Sequence, residues 1–370
     1  MAAGDIGSVI EAFTFDASFG DEPEIIHIDG DVYAIVYTGP DSDGFIITVS
    51  IDSAGDIGAS IIDTLEFDGT QGLSPSICHV SGNVYAIAYS GPDSDGFVRT
   101  FSIDAAGNIG GTHIDSLEFE TGTCREPIIK HISGQIYAVA YRGTGDDGWV
   151  CTFTINAGGG IGAAIIDDLE FDAAYGYEPK LIHVSGQIYA VAYRGTSADG
   201  YLVTFSISGI GEIGASVIDS YEFDTDMCYV PDIIKISTGI FAIAYFGPDF
   251  DGFIFTVAIA AGGNITAAKI DTLEFDTSEA NWPSICLVAG DIYAIAYTGS
   301  GSDGFLVTLS IDEAGDISAA VIDSLEFDTT LCHQPALIRI TTNVYAIAYQ
   351  AFDESGVLKT ISIEPPVIGG

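Results

Sequence analysis

The chain has 370 residues, 48% of them hydrophobic, and sets 53 Asp plus Glu against 10 Lys plus Arg, a formal charge of −43. That imbalance argues against nucleic acid and against anionic membranes as direct partners, because both call for a basic surface. Every apolar run is strand-length and broken by glycine, so no membrane insertion by a helix is expected.

The first predicted element is a strand over 8–16, SVIEAFTFD. It follows Ala2-Ala3-Gly4-Asp5-Ile6-Gly7, which matches Ala105-Ala106-Gly107-Asn108-Ile109-Gly110 further along. Met1 therefore sits directly on mid-repeat sequence, and the natural product is expected to be longer than this chain. From residue 17 onward one unit recurs with a step of 52. Its tyrosine falls at Tyr37, Tyr89, Tyr141, Tyr193, Tyr245, Tyr297 and Tyr349. A proline (Pro23 to Pro335) and a glycine (Gly44 to Gly356) keep the same step. Such a period marks a repeat architecture.

Each unit reads as four strands, which in the second copy cover 75–82, 83–91, 96–104 and 110–120. Ser81-Gly82-Asn83 and Asp104-Ala105-Ala106-Gly107 supply turns between them. Val, Ile, Tyr, Phe and Thr fill the strands, and no stretch sustains a helical period. Along the second strand, Val84, Ala86 and Ala88 take one face and Tyr85, Ile87 and Tyr89 the other. Both faces are apolar, one thin and one thick, so the sheets are expected to stack large residues against small. The seventh copy ends after its third strand, 357–364, with Pro365-Pro366 as a stop.

Seven four-stranded units resemble the blades of a β-propeller. The resemblance covers the whole chain at superfamily level. It implies an all-β, seven-bladed ring of antiparallel blades forming a single domain over 1–370. The N-terminal strand (5–16) would complete the last blade (335–364), a one-plus-three closure that leaves no free stacking face.

The acids repeat with the blades. The outer strand gives Asp63, Glu66 and Asp68, expected on a solvated rim or facing a cation-rich setting such as a cell surface. Cys124, Cys228 and Cys332 share one column, Cys78 and Cys286 another, and Cys151 stands alone on a third strand; equivalent positions two or more blades apart are too distant for bridges, and the six read as small buried apolar residues.

Three columns are candidate sites. Asp41 and Asp43, Asp93 and Asp95, and Asp249 and Asp251 stand in Pro-Asp-x-Asp-Gly loops. Paired carboxylates there could hold Ca²⁺, whereas Asp-Gly alone is turn chemistry, with the glycine at positive φ. His27, His79, His131, His183, Lys235, Leu287 and Arg339 form a column on the first strand. Being innermost, it would surround the channel and serve structure, an anion or a metal. The loop before each inner strand differs in every copy and brings Arg125, Tyr177, Tyr229, Trp282 and His333 to one mouth, with Phe19, Tyr175 and Met227 just upstream. Elsewhere the copies are nearly interchangeable, and recognition usually lives on loops carried by a rigid scaffold.

No nucleophile–base pair is singled out; Cys332-His333 are neighbours in sequence only. The sequence therefore points to a non-catalytic binding or surface-display module, extracellular or cell-surface, whose partner is a glycan or another extracellular polymer. A structural building block and a polysaccharide lyase or hydrolase are the alternatives.

Overall fold

The computed structural model describes residues 2–366. β1 (Ile6–Asp16) precedes the first repeat, which supplies β2 (Asp21–Asp29), β3 (Val32–Thr38), β4 (Gly44–Ser50) and β5 (Asp63–Asp68), paired in that order. Five further repeats copy this sheet. The last contributes Cys332–Arg339, Val344–Ala351 and Gly356–Ile363, and β1 joins as its outer strand, from Ile6 opposite Ile363 to Asp16 opposite Gly356. β2 lies against the inner strand of the second blade on one side and against Cys332–Arg339 on the other. The protein is a seven-bladed β-propeller with one-plus-three closure.

The outer strands are shorter than the sequence suggests. In the second blade the strand covers Asp115–Glu120, not 110–120. The preceding residues fold back instead: Ile103 bridges Ile109, and the Gly110 amide donates to the Ser102 carbonyl at 2.8 Å. β1 begins at Ile6, two residues before the 8–16 run, because its pairing with the last strand extends to Ile6 opposite Ile363.

The core lies between blades. Tyr85, Ile87 and Tyr89 of the second blade pack on Ala34 and Val36 of the first. At the closing junction Tyr33, Ile35 and Tyr37 pack on Ala346 and Ala348. Large side chains fill the space that alanines leave, which gives dense packing without altering the backbone.

Three polar columns run through these junctions. Each second-strand tyrosine donates to the acid ending the previous blade's outer strand, Tyr37 to Asp16 and so on around the ring, at 2.5–3.0 Å. Each third-strand threonine, fully buried, donates to a turn carbonyl of the next blade, Thr48 to Gly107 for example, at 2.6 Å in all seven cases. The first outer-strand acid accepts a next-blade amide, as Asp63 does from Ile109 at 2.8 Å. The acids are therefore not simply a solvated rim. Of Asp63, Glu66 and Asp68, only Glu66 is exposed.

The Asp-Gly loops also differ from expectation. Positive φ falls on Asp41 (59°) and Ser42 (70°), not on Gly44. Gly44 is needed for space, since a Cβ there would overlap the Phe67 ring and the same clash recurs in every blade. Gly72 and Cys124 sit against this glycine column, which explains their small size; Cys124, Cys228 and Cys332 are fully buried and all six thiols are free.

Removing one such junction bond tests its weight. Thr204→Val leaves the Gly263 carbonyl without its 2.6 Å donor and is expected to cost about 1–2 kcal/mol, read as a lowered melting temperature. An unchanged melting temperature would mean that water or another group replaces the hydroxyl.

Candidate ligand-binding mouth

The residue before each inner-strand proline has left-handed backbone: Glu22 (φ 49°), Ser74 (47°), Glu126 (52°), Glu178 (54°), Val230 (46°), Trp282 (48°) and Gln334 (48°). This conformation is unfavourable for any non-glycine residue and most of all for β-branched Val230. It recurs seven times at one depth, where strand pairing also breaks register between Asp21 and Glu24. These residues and the prolines line an axial cavity of about 460 Å³.

The carboxylates in that cavity are committed to the ring. Glu22 accepts from the Ser74 amide (2.7 Å) and hydroxyl (2.8 Å). Glu126 accepts from the Glu178 amide (2.7 Å), and Glu178 from the Val230 amide (2.8 Å). One step deeper, Glu24 accepts from Ile77 (3.2 Å) and Asp232 from Ile285 (2.9 Å). Burial raises the Glu22 carboxyl above its usual range, with Asp21 adding to the effect. Burial raises Glu178 too, against the opposing pull of Arg194.

Phe19, Asp21, Thr38, Ser90, Arg125 and Arg142 border a second cavity of about 590 Å³, which shares Glu22, Ser74 and Glu126 with the lining of the first. Arg142, on its border, begins a stack of alternating charge and ring. The Arg142 guanidinium lies 4.1 Å from the Tyr177 centroid, Arg194 4.2 Å from the same centroid, and Arg194 4.3 Å from Tyr229. Tyr175 also stacks on Tyr177, with 5.9 Å between ring centroids and 20° between planes. Phe246 abuts Tyr229 edge-on at 5.8 Å. Arg142 pairs with Glu126 (3.1 Å) and Asp146 (3.4 Å), and Arg194 with Glu178 (3.4 Å).

This changes the roles read from sequence. Tyr177 and Tyr229 are half-buried parts of the stack, and the ring faces of Tyr177 are taken. Arg125 is exposed at the second cavity. Trp282 lines the axial cavity and meets His333 edge-on at 4.1 Å, while His333 Nδ1 lies 3.3 Å from an Asp21 oxygen. Sequence reasoning missed Arg142 and Arg194, which end the second strand. Their column, Thr38, Ser90, Arg142, Arg194, Phe246, Thr298 and Gln350, varies as much as the loops and carried the signal. It also missed Phe250 (57% exposed) and Phe352 (74%), which join Tyr175 (41%) as exposed aromatics.

The histidine column does not border either cavity. His27, His79, His131 and His183 each lie exposed at the far end of the inner strand, with Nε2 2.9–3.1 Å from the carbonyl of their own hairpin glycine. Each also packs against the tyrosine opposite, about 5 Å between centroids. Lys235 donates to the Val184 carbonyl at 2.7 Å and Arg339 to that of Thr341 at 2.9 Å. The four histidines thus cap their own hairpins, which is the structural role among those open to the column, while Lys235 reaches a carbonyl of the preceding blade. Among the described residues no three His, Cys, Asp or Glu side chains converge as metal ligands, and this covers both the histidines and the Asp41/Asp43, Asp93/Asp95 and Asp249/Asp251 loops. The second Asp of these loops instead faces an outer-strand glutamate. Asp95 raises Glu118 through a shared hydrogen bond; burial and then Asp251 raise Glu274. Cys332 and His333 do not form a nucleophile pair: the thiol is fully buried, and burial lifts it well above its usual range.

No protein-family model and no curated protein sequence matches the chain. Solved structures do resemble it. A Bacteroides uniformis protein provisionally described as a 6-phosphogluconolactonase aligns with a TM-score of 0.58 at 13% identity, over 91% of this chain and 98% of that one. Sqt1 of Saccharomyces cerevisiae aligns with a TM-score of 0.54 at 12% identity, over 98% and 100%. BBS1N, solved in complex with ARL6DN, aligns with a TM-score of 0.56 at 9% identity, over 98% of both chains. At these identities the likeness establishes the propeller fold alone, a fold compatible with binding and scaffold roles.

Two measurements follow from the site. Arg194→Ala removes contacts to two rings and leaves Glu178 without its cation, so a loss of about 2 kcal/mol is expected in denaturant unfolding. Arg194→Lys should recover only part of it, because the planar stack is lost. The second is pH dependence. Glu22, Glu118, Glu178, Glu274 and Glu326 have raised carboxyls, so near pH 5 the folded chain holds more protons than the unfolded one. Stability should therefore rise as pH falls from 7 toward the ordinary glutamate value of about 4.5. Asp328 acts oppositely: burial alone would raise it, but hydrogen bonds from Lys359, Tyr349 and Thr330 hold it low. Its contribution is present above 3.8 and is lost as pH falls through its lowered value. Calorimetry should show a higher melting temperature at pH 5 than at pH 8; the reverse order would contradict this assignment of charges.

Proposed function

We propose that the chain is a non-catalytic binding module that holds a glycan or another extracellular polymer on the face carrying the variable loops, outside the cell or at its surface. One observation carries this reading: seven otherwise interchangeable blades differ where their side chains meet two neighbouring cavities with lining residues in common. Cavities of this size suit a few sugar rings. Tyr175, Trp282, Phe250 and Phe352 offer apolar faces or edges, and backbone strain at the rim fits a surface kept for contact rather than for stability. Catalysis is less well supported, since the cavity carboxylates are bonded to backbone amides and burial lifts the Cys332 thiol well above its usual range. A protein partner is the second reading, favoured by the exposed Phe250 and Phe352.

The test is a glycan-array screen of the purified chain with Ca²⁺ and again with chelator. Binding lost in chelator would assign a metal role to the Asp41/Asp43-type loops. For a bound glycan, Tyr175→Ala with Trp282→Ala is expected to weaken affinity about tenfold or more, measured at a temperature where the variant is fully folded. Tyr177→Ala should instead lower the melting temperature, because its ring holds the arginine stack together. No binding in either condition, with no effect of the double variant on any partner, would leave the ring as a scaffold.

A further inference from the structure

Half of the ten Lys and Arg in the chain stand on blades three and four around the mouth: Arg125, Lys130, Arg142, Lys180 and Arg194. The −43 overall charge makes this gathering hard to attribute to composition. The groups are not equivalent. Arg142 and Arg194 are neutralised by Glu126, Asp146 and Glu178. Among the described residues, Arg125, Lys130 and Lys180 have no carboxylate within ion-pair distance. Lys130 and Lys180 both border the axial cavity, one exposed and the other half-buried, and Arg125 borders the cavity beside it.

The acids of the axial cavity are in the opposite condition. Glu22, Glu24, Glu126, Glu178 and Asp232 each accept an amide from the next blade. A carboxylate so held has its charge spread into fixed donors and is less able to bind a ligand's cation. Glu24 and Asp232 each keep one oxygen outside these bonds, while Lys130, Lys180 and Arg125 are the cations left without a carboxylate partner. We infer that the mouth selects an acidic saccharide, its carboxylate seated against Lys130 and Lys180 with Arg125 at the rim. This inference rests on the glycan-binding reading above and narrows it to one ligand class.

Long-range repulsion from the other acids does not forbid it. At 0.15 M salt the Debye length is about 8 Å, so distant outer-strand carboxylates are screened while lysines in direct contact act in full. Long-range charge would slow association more than it weakens the bound state.

The experiment compares hyaluronan, alginate and polygalacturonate oligosaccharides with their carboxyl-reduced counterparts, which keep ring and linkage but lose the charge. Binding to the whole chain is measured by calorimetry in 0.15 M NaCl. The expected result is that at least one acidic oligosaccharide binds about tenfold or more tightly than its reduced form. Lys130→Met with Lys180→Met should erase that difference, and melting temperature checks the fold, since neither ammonium holds a blade junction. Equal affinity for acidic and reduced forms would overturn the inference and leave the glycan reading intact. So would array binding confined to neutral glycans. Absence of binding to any saccharide would overturn both. A preference for the acidic form that survives in the double variant would place the carboxylate elsewhere and overturn the assignment to these lysines.

Discussion

The ring depends on one contact made seven times: a tyrosine-bearing strand face laid on the alanine face of the preceding blade, its hydroxyl bonded to that blade's terminal carboxylate. The apolar part supplies close packing, and the polar part fixes position. A hydrophobic face alone can slide; a hydroxyl 2.5–3.0 Å from a carboxylate cannot slide without losing a charge-assisted bond. Neighbouring features serve this contact. Gly44 and its equivalents let the phenylalanine beside the tyrosine come close, and the buried threonines tie the next turn into the same junction. No blade has a complete core of its own, so its stability comes from its neighbours.

The architecture was legible in the sequence because its determinants are local. A 52-residue period, an alanine–tyrosine alternation and matching ends are all visible along the chain, and they fix strands, stacking and closure. The acids were harder to read. Asp63 and Asp68 look like surface charge because their partners, Ile109 and Tyr89, lie 46 and 21 residues away across a blade boundary. Gly44 suggested a turn glycine because Asp-Gly usually marks one; only the Phe67 ring above it reveals the steric reason. The histidines stand on the inner strand as expected, with the structural role among those open to them, but their partner was not legible. Sequence assigns them to the inner strand but cannot say that a hairpin carbonyl three residues on will capture each ring.

The mouth was found by its variability, but its wiring was not. Arg125, Tyr177, Tyr229, Trp282 and His333 do reach one face, yet Tyr177 is held by two arginines from another column and Tyr229 by one of them. That division has a physical logic. Side chains that hold the strained rim in place must be consumed by bonds and stacks, and those left over are the ones able to meet a ligand. Five cavity carboxylates belong to the first group, three cations and a few exposed rings to the second.

The equivalence of the blades gives every mouth position a two-part address. The blade sets the angle around the axis, and the column within the repeat sets the depth. Because the junctions are alike, a side chain moved by 52 residues keeps its depth and turns by one-seventh of a circle. The free cations occupy adjacent angles at several depths, so the surface behaves as a small grid. A change of specificity on such a grid requires no new fold, only a new occupant at a known coordinate.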